Sequence, residues 1–229
     1  MNTVVFMNQI AEYQFLRYVY SMLIGLTGTY CAGKNHVAAI LEQRGLAALD
    51  VDKLGYIAIE NKKAAIVARF GADIQNQDGT INRRRLGKKV FGREGELFAL
   101  EAIVHPEANR LTLEWIAARN GNNCVINAAL LHKSAVFGEL NGIIVVCAPL
   151  LIRLIRAKRR DKLPWASLLR RFSSQKQFFA QYLAKNADIY RVENPGIGKS
   201  GFLPGSRRAT RLECRIDAIL SKLGPNTTV

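Results

Sequence analysis

The amino-acid sequence predicts an α/β protein built on a parallel five-stranded sheet flanked by helices, and three observations carry that expectation. An apolar run at Leu23–Thr27 ends in glycine and passes through a loop of small residues into a helix-like apolar stretch from Val37. A short strand-like run, Leu46–Leu49, leads directly to two acids, Asp50 and Asp52. Two further runs, Cys124–Ala129 and Gly142–Ala148, are too apolar for edge strands and suit a sheet covered on both faces.

Taken in order, the elements are a strand at 23–27, a loop at 28–34, a helix at 35–44 closed by Gly45, and a strand at 46–49. Residues 53–70 and 82–118 read as helical, separated by Gly71 and the Gln77-Asp78-Gly79 turn. The strands at 124–129 and 142–148 follow. Pro149 opens a basic helix to about Asp161, and Pro164 opens another to about Ala184. Residues 187–192 supply the fifth strand. After Asn194-Pro195-Gly196 the chain is rich in Gly and Ser to Arg208, a composition compatible with a loop or with disorder, and Arg211–Leu223 reads as a terminal helix.

The loop carries the chemistry. Gly28-Thr29-Tyr30-Cys31-Ala32-Gly33-Lys34-Asn35 matches the phosphate-binding pattern G-x-x-x-x-G-K-[ST] except at its last position, where Asn35 replaces the hydroxyl residue. Glycines let the backbone curl so that successive N–H groups and a helix N-terminus face phosphate oxygens. Lys34 then reaches the outer phosphates. The usual hydroxyl ligates magnesium, and the carboxamide oxygen of Asn35 is also a neutral, hard donor, whereas the imidazole of His36 matches such a cation poorly. An ordinary strand-turn-helix is the plain alternative, but a strand-like run before the loop and a helix-like run after it are the context a nucleotide site requires.

The length of 229 residues suits one compact domain with insertions, and no stretch approaches the length of a membrane span. Residues 1–21 lack the basic start and cleavage site of an export signal. They read as an amphipathic helix or as an over-long gene start with Met22 first, the second being preferred. The four cysteines, Cys31, Cys124, Cys147 and Cys214, show no zinc spacing and suggest a reduced, cytoplasmic protein. Cys124 and Cys147 read as small core residues. Cys31 lies in the phosphate loop, where positive potential could lower its pKa, against the simpler reading of a small residue in a tight turn.

The chain carries 33 Lys plus Arg against 18 Asp plus Glu, a net charge of +15. The basic residues cluster at Arg83–Arg93 and at Arg153–Lys176. Two separate clusters suit two polyanionic small molecules meeting at one cleft. They would also suit RNA, although no nucleic-acid recognition motif accompanies them, and any one of these residues could equally belong to a solvated face.

At this point the chain resembles the dephospho-CoA kinases. The matching pieces are IGLTG at 24–28, Gly33-Lys34, Asp50-Val51-Asp52, Arg69-Phe70-Gly71, Asp78-Gly79, Leu86, Val90-Phe91 and Leu100–Pro106 with its His105-Pro106. They continue with Ala148-Pro149, Arg156, Arg160-Asp161, Arg171, Gln175, Ala187-Asp188 and Asn194, so the resemblance runs from about 23 to 196. It implies a P-loop NTPase-type three-layer sandwich in which residues 22–224 form a single kinase domain after an extension at 1–21. The nucleotide-binding core would be 22–60, 119–152 and 185–224, with a helical CoA-binding insertion at 61–118 and a helical lid at 153–184.

The implied reaction is transfer of the ATP γ-phosphoryl group, with Mg²⁺, to the 3′-hydroxyl of dephospho-CoA, by a monomer or weak homo-oligomer without membrane or nucleic-acid partners. Phosphoryl transfer needs positioning and charge neutralisation, and the resemblance distributes those tasks. Asp52 orients or deprotonates the acceptor hydroxyl, with Asp50 in the metal's outer shell or supporting Asp52; a solvated turn is the plain alternative for the pair. Lys34, with Gly28 to His36 around it, holds the nucleotide phosphates, and Asn35 the metal. Arg156 and Arg160 match lid arginines, with Arg153 a weaker candidate. Arg83 and His105 fall on the acceptor side, and His105 could equally be a helix-boundary histidine satisfied by backbone. The alternatives are another small-molecule kinase, such as one acting on nucleoside monophosphates, and a weakened kinase binding RNA or an acidic partner. The chain departs from the family pattern at Tyr30, Asn35 and His36, at Ala129–Lys133, and in a rebuilt connection after Gln175 that carries Phe178, Phe179 and Tyr182.

Overall fold

A computed structural model describes residues 22–119, 121–173, 182, 188–195 and 211–224. They form two compact units, one comprising the described residues up to Leu49 and from Arg119 onward, the other Asp50–Ala118.

The first unit contains the sheet. Strands β1 (Leu23–Gly28), β2 (Ala47–Asp50), β3 (Cys124–Asn127), β4 (Gly142–Cys147) and β5 (Ile189–Glu193) lie in the order β2-β3-β1-β4-β5. The ladders of β1 with β3, β1 with β4 and β4 with β5 are parallel, with Leu26 opposite both Asn127 and Ile144. Every residue of β1, β3 and β4 is buried, which is why these runs contain no alternating polar positions. On one face Ile24, Leu26, Val125, Ile144, Val146 and Val192 pack against α1 (Lys34–Gln43) and the terminal helix α8 (Arg211–Leu223) through Val37, Leu41, Ile216 and Ile219. On the other, Gly25 leaves room for Leu131 and Leu140, whose methyl carbons lie 2.6 and 2.8 Å from where a Cβ would stand. The same face holds the fully buried Tyr182, whose hydroxyl lies 3.3 Å from Thr27 Oγ1 and 3.4 Å from His132 Nδ1.

The second unit is helical: α2 (Val51–Asn61), α3 (Lys63–Phe70), α4 (Arg83–Val90) and α5 (Glu94–Ala117) enclose Ala58, Ile66, Phe70, Ile74, Leu86, Val90 and Val104. Its interior carries one charged group. Glu107 is 6% exposed and accepts from Arg110 (2.7 Å) and Asn61 (2.7 Å). These two donors, Arg110 foremost, hold its carboxyl down at about 2.

Several boundaries move from their expected places. Helix α2 starts at Val51, so Asp52 sits in a first helical turn and not in a strand-end loop, and α2 belongs to the helical unit although its residues were expected in the core. The stretch 53–70 breaks at Lys62. The stretch 82–118 breaks at Phe91–Arg93, where Gly92 takes φ +79°, a backbone region costly for other residues. The fifth strand runs Ile189–Glu193 instead of 187–192. The basic pair of helices is seen as α6 (Leu150–Asp161) and α7 (Trp165–Ser173). The expected continuation of α7 to Ala184, apart from Tyr182, lies outside the described residues, as do residues 1–21 and 196–206.

Candidate active site

Strand β1 ends where its backbone crosses β4. The Thr29 N–H donates to the Val146 carbonyl (3.3 Å), and a Cβ on Gly28 would lie 2.4 Å from that same oxygen, so only glycine fits. The loop then turns through Cys31 at φ +58° and Gly33 at φ +96°, the latter also the N-cap of α1. A Cβ on Gly33 would stand 2.3 Å from Asn194 Nδ2. The N–H groups of Cys31 and Gly33 have no partner among the described residues, and α1 has neither a side-chain cap nor an acid in its first turn. Partial positive charge of the helix end and unpaired N–H groups therefore converge where Lys34 begins the helix. This is the chemistry of a phosphate cradle.

Helix α6 braces the loop from outside. Arg156 Nη1 donates to the carbonyls of Ala32 (2.9 Å) and Cys31 (3.3 Å), while its Nη2 reaches the backbone oxygen of Asn194 (3.3 Å). Arg153 Nε donates to the Tyr30 carbonyl at 2.8 Å. These donors occupy the carbonyls of Tyr30, Cys31 and Ala32, while the N–H groups of Cys31 and Gly33 stay unpaired among the described residues. Asn194, 4% exposed, completes the brace by donating Nδ2 to the Ala32 carbonyl at 3.0 Å. Arg160 stacks on Tyr30 with its guanidinium carbon 5.2 Å from the ring centroid. Burial pushes the Cys31 thiol pKa up although Arg160, Arg153, Arg156 and Arg171 all pull it down, which favours the simpler reading of a small residue in a tight turn over a thiol activated by positive potential. Cys124 and Cys147 are buried core thiols, as their runs predict.

Asn35 is held by a residue that the sequence did not single out. Asn127, the last residue of β3 and 4% exposed, donates Nδ2 to Asn35 Oδ1 at 3.2 Å, and its own Oδ1 is buried without a partner. No group of three or more His, Cys, Asp or Glu residues among those described is placed to hold a metal ion. The neutral amide oxygens fit a cation that keeps phosphate and water as its main ligands, which is the habit of Mg²⁺. His36 is exposed at the outer side of the first helical turn.

In the helical unit, Asp50 closes β2 and lies 4.0 Å from Lys53 Nζ, and Asp52 is exposed in the first turn of α2. Arg83 opens α4 with its guanidinium 4.0 Å over the Tyr56 ring. Both line a cleft of about 940 Å³ with Glu60, Asn82, Arg84 and the 75% exposed Phe91. His105 does not line it. It is half-buried inside α5 beside Pro106, and not at a helix boundary, which removes the expected alternative of a boundary histidine.

A phosphate cradle at the carboxyl end of a central parallel strand, with a lysine opening the next helix and arginines braced over it, defines a P-loop phosphotransferase. The comparisons with known proteins narrow this class. A family model for dephospho-CoA kinase matches residues 22–194. The dephospho-CoA kinase of Treponema pallidum (strain Nichols) is 34% identical over 212 residues, covering 88% of this chain and 95% of its own. That of Treponema denticola is 33% identical over 184 residues, covering 76% and 82%. The crystal structure of TT1252 from Thermus thermophilus superposes with a TM-score of 0.69 at 30% identity, covering 89% of this chain and 98% of that one. The chain belongs to the dephospho-CoA kinase family. It is accordingly a kinase of coenzyme A biosynthesis that uses ATP.

Proposed function

We propose that this chain transfers the γ-phosphoryl group of ATP to the 3′-hydroxyl of the dephospho-CoA ribose, giving coenzyme A and ADP. The observation that carries the reading is the braced loop: the Tyr30, Cys31 and Ala32 carbonyls are held by Arg153, Arg156 and Asn194, and the N–H groups of Cys31 and Gly33 are left without a partner among the described residues at the start of α1. Lys34 and the backbone from Gly28 to Gly33 bind the β- and γ-phosphates. Arg160 neutralises charge on the transferred group, and Arg156 fixes the loop that receives it. Mg²⁺ entering with ATP supplies further neutralisation, and Asn35, steadied by Asn127, offers it a neutral oxygen. Asp52 accepts the proton of the attacking hydroxyl, and Asp50 supports it or orders the metal's water shell. Arg83 and His105 serve the acceptor, Arg83 from the cleft it shares with Tyr56.

The test is ADP release with ATP, Mg²⁺ and a panel of acceptors. Dephospho-CoA should be the preferred one, and Lys34→Ala and Asp52→Asn should each lower kcat/KM by roughly 100-fold or more, the range typical of removing a general base or a phosphate-binding charge. Preference for a nucleoside monophosphate would refute the acceptor assignment. Undiminished activity in Asp52→Asn would refute its role as base.

A further inference from the structure

Helix α6 divides its side chains between two faces. Arg153, Arg156 and Arg160 turn to the phosphate loop, where each has a partner, and Ala157 on that side is fully buried. The opposite face carries Leu151, Ile155 and Arg159, spaced one turn apart, and all three are exposed, Leu151 by 73%. Lys158 carries this stripe across to α7: its Nζ lies 5.2 Å from the centre of the Trp165 ring and donates to the Leu163 carbonyl. One turn beyond Trp165 stands Leu169, and these two are 53% and 54% exposed. Of the ten large apolar or aromatic side chains exposed among the described residues, five belong to α6 and α7, so the stripe is not the single scatter of an ordinary surface.

The charges around the stripe are of one sign. From Leu150 to Ser173 the chain has eight Lys or Arg and one acid, Asp161, which is turned inward to Tyr30 and Arg160. Arg159, Lys162 and Arg170 are exposed and make no ion pair among the described residues. An apolar stripe with a basic rim calls for an occupant that is apolar and negative. A second copy of this chain is a poor one, because copies meeting on this face would bring the same cations together in a protein of net charge +15. Long, unanchored cations match a charge spread over a plane better than acids at fixed positions. A bilayer interface offers that plane, takes Leu and Ile into its acyl boundary, and accommodates a Trp ring beside a lysine at headgroup level.

We propose that the outer face of α6 and α7, centred on Leu151, Ile155, Trp165 and Leu169, is a docking surface for an anionic lipid bilayer. The helices lie on the bilayer and do not span it: among the described residues no helix is long and apolar enough to cross a membrane. The expected absence of a membrane partner is thereby revised for surface contact alone. Docking on this side leaves Arg153, Arg156 and Arg160 on their loop contacts.

The experiment is co-sedimentation of the full chain with vesicles of phosphatidylcholine alone and of phosphatidylcholine mixed equally with phosphatidylglycerol. Trp165 emission is read in a Trp115→Phe background, where it is the only tryptophan. Binding should need the anionic lipid and weaken with salt, and Trp165 should shift to the blue and be quenched by lipids brominated in their acyl chains. Arg159→Gln with Lys162→Gln and Arg170→Gln should weaken binding about 100-fold, at roughly fivefold for each cation. Leu151→Gln with Leu169→Gln should weaken it about tenfold or more, with the melting temperature and the kinase rate without vesicles unchanged, since both side chains already face water. Failure to sediment with either vesicle would overturn the proposal, as would undiminished binding in Leu151→Gln with Leu169→Gln, or binding that leaves Trp165 emission unaltered. Self-association of the vesicle-free chain that these two substitutions abolish would also overturn it, and would give the face to a second copy.

Discussion

Removing the guanidinium of Arg156 separates two jobs that an arginine beside a phosphate loop can do. A clamp acts on the nucleotide and leaves the empty protein unaffected. A brace holds the loop whether or not nucleotide is bound. The geometry assigns Arg156 to the second, because its donors go to the carbonyls of Ala32, Cys31 and Asn194 at 2.9, 3.3 and 3.3 Å. Hydrogen bonds to charged groups contribute roughly 1.5–3 kcal/mol each at good geometry. Only the 2.9 Å contact is of that quality, the other two are long, and water reaches this half-buried side chain. The sum for Arg156→Ala is therefore about 2–4 kcal/mol.

In a chain of this size each kcal/mol moves the melting temperature by about 2–4 °C, so differential scanning calorimetry without nucleotide should show a fall of roughly 5–15 °C. Arg156→Lys, which keeps the charge but not the fork, should recover less than half of that loss. Asn194→Ala should also destabilise the protein, and combining it with Arg156→Ala should cost less than the sum, because both side chains bind the Ala32 carbonyl. An Arg156→Ala protein that melts within about 2 °C of wild type while its ATP KM rises steeply would refute the brace and restore the clamp.

Three further outcomes follow from particular contacts. Asn127→Ala frees the Asn35 carboxamide and removes the buried amide oxygen beside it; the Mg²⁺ concentration for half-maximal rate should rise roughly 10-fold, and electron paramagnetic resonance of Mn²⁺ with ADP should show weaker metal retention, whereas an unchanged metal titration would mean that the amide pair only packs. Glu107, held at about 2, is the group to follow in acid. Its carboxyl binds protons more readily in the unfolded chain, so its stabilisation is complete above the ordinary value of 4.5 and is lost as pH falls from there towards 2; Glu107→Gln should flatten that part of the melting profile, and an identical profile would refute the assignment. Arg83→Ala removes the cation over Tyr56 from the 940 Å³ cleft and should raise the dephospho-CoA KM while leaving the ATP KM unchanged, a result that a rise in both would contradict.

What could be read from the sequence is what is local in the chain, and what could not is what a strand register or a distant side chain decides. The apolar runs of β1, β3 and β4 predict a doubly covered sheet because burial on both faces leaves no room for alternation, and the Gly28–Lys34 spacing predicts the cradle because the loop closes within one turn. The stretch around Gly87, Gly92 and Gly95 shows the limit even locally. All three look alike in a helical pattern, yet only Gly92 adopts positive φ, since Phe91 leaves the helix while Val90 is fixed in the core. Asn35 and Asn127 are far apart in the chain and meet because β3 pairs with β1 in the register that sets Asn127 opposite Leu26. Tyr30 finds Asp161, and Arg156 finds Asn194, by packing of α6 on the loop, which no spacing encodes. Cys31 bears out the simpler of its two readings, a small residue in a tight turn: burial opposes the surrounding arginines and pushes its thiol pKa up, and burial of a loop residue depends on which side chains fold over it. The departure at Asn35 thus has to be judged together with Asn127, because in this fold the two amides are one structural unit at the mouth of the phosphate loop.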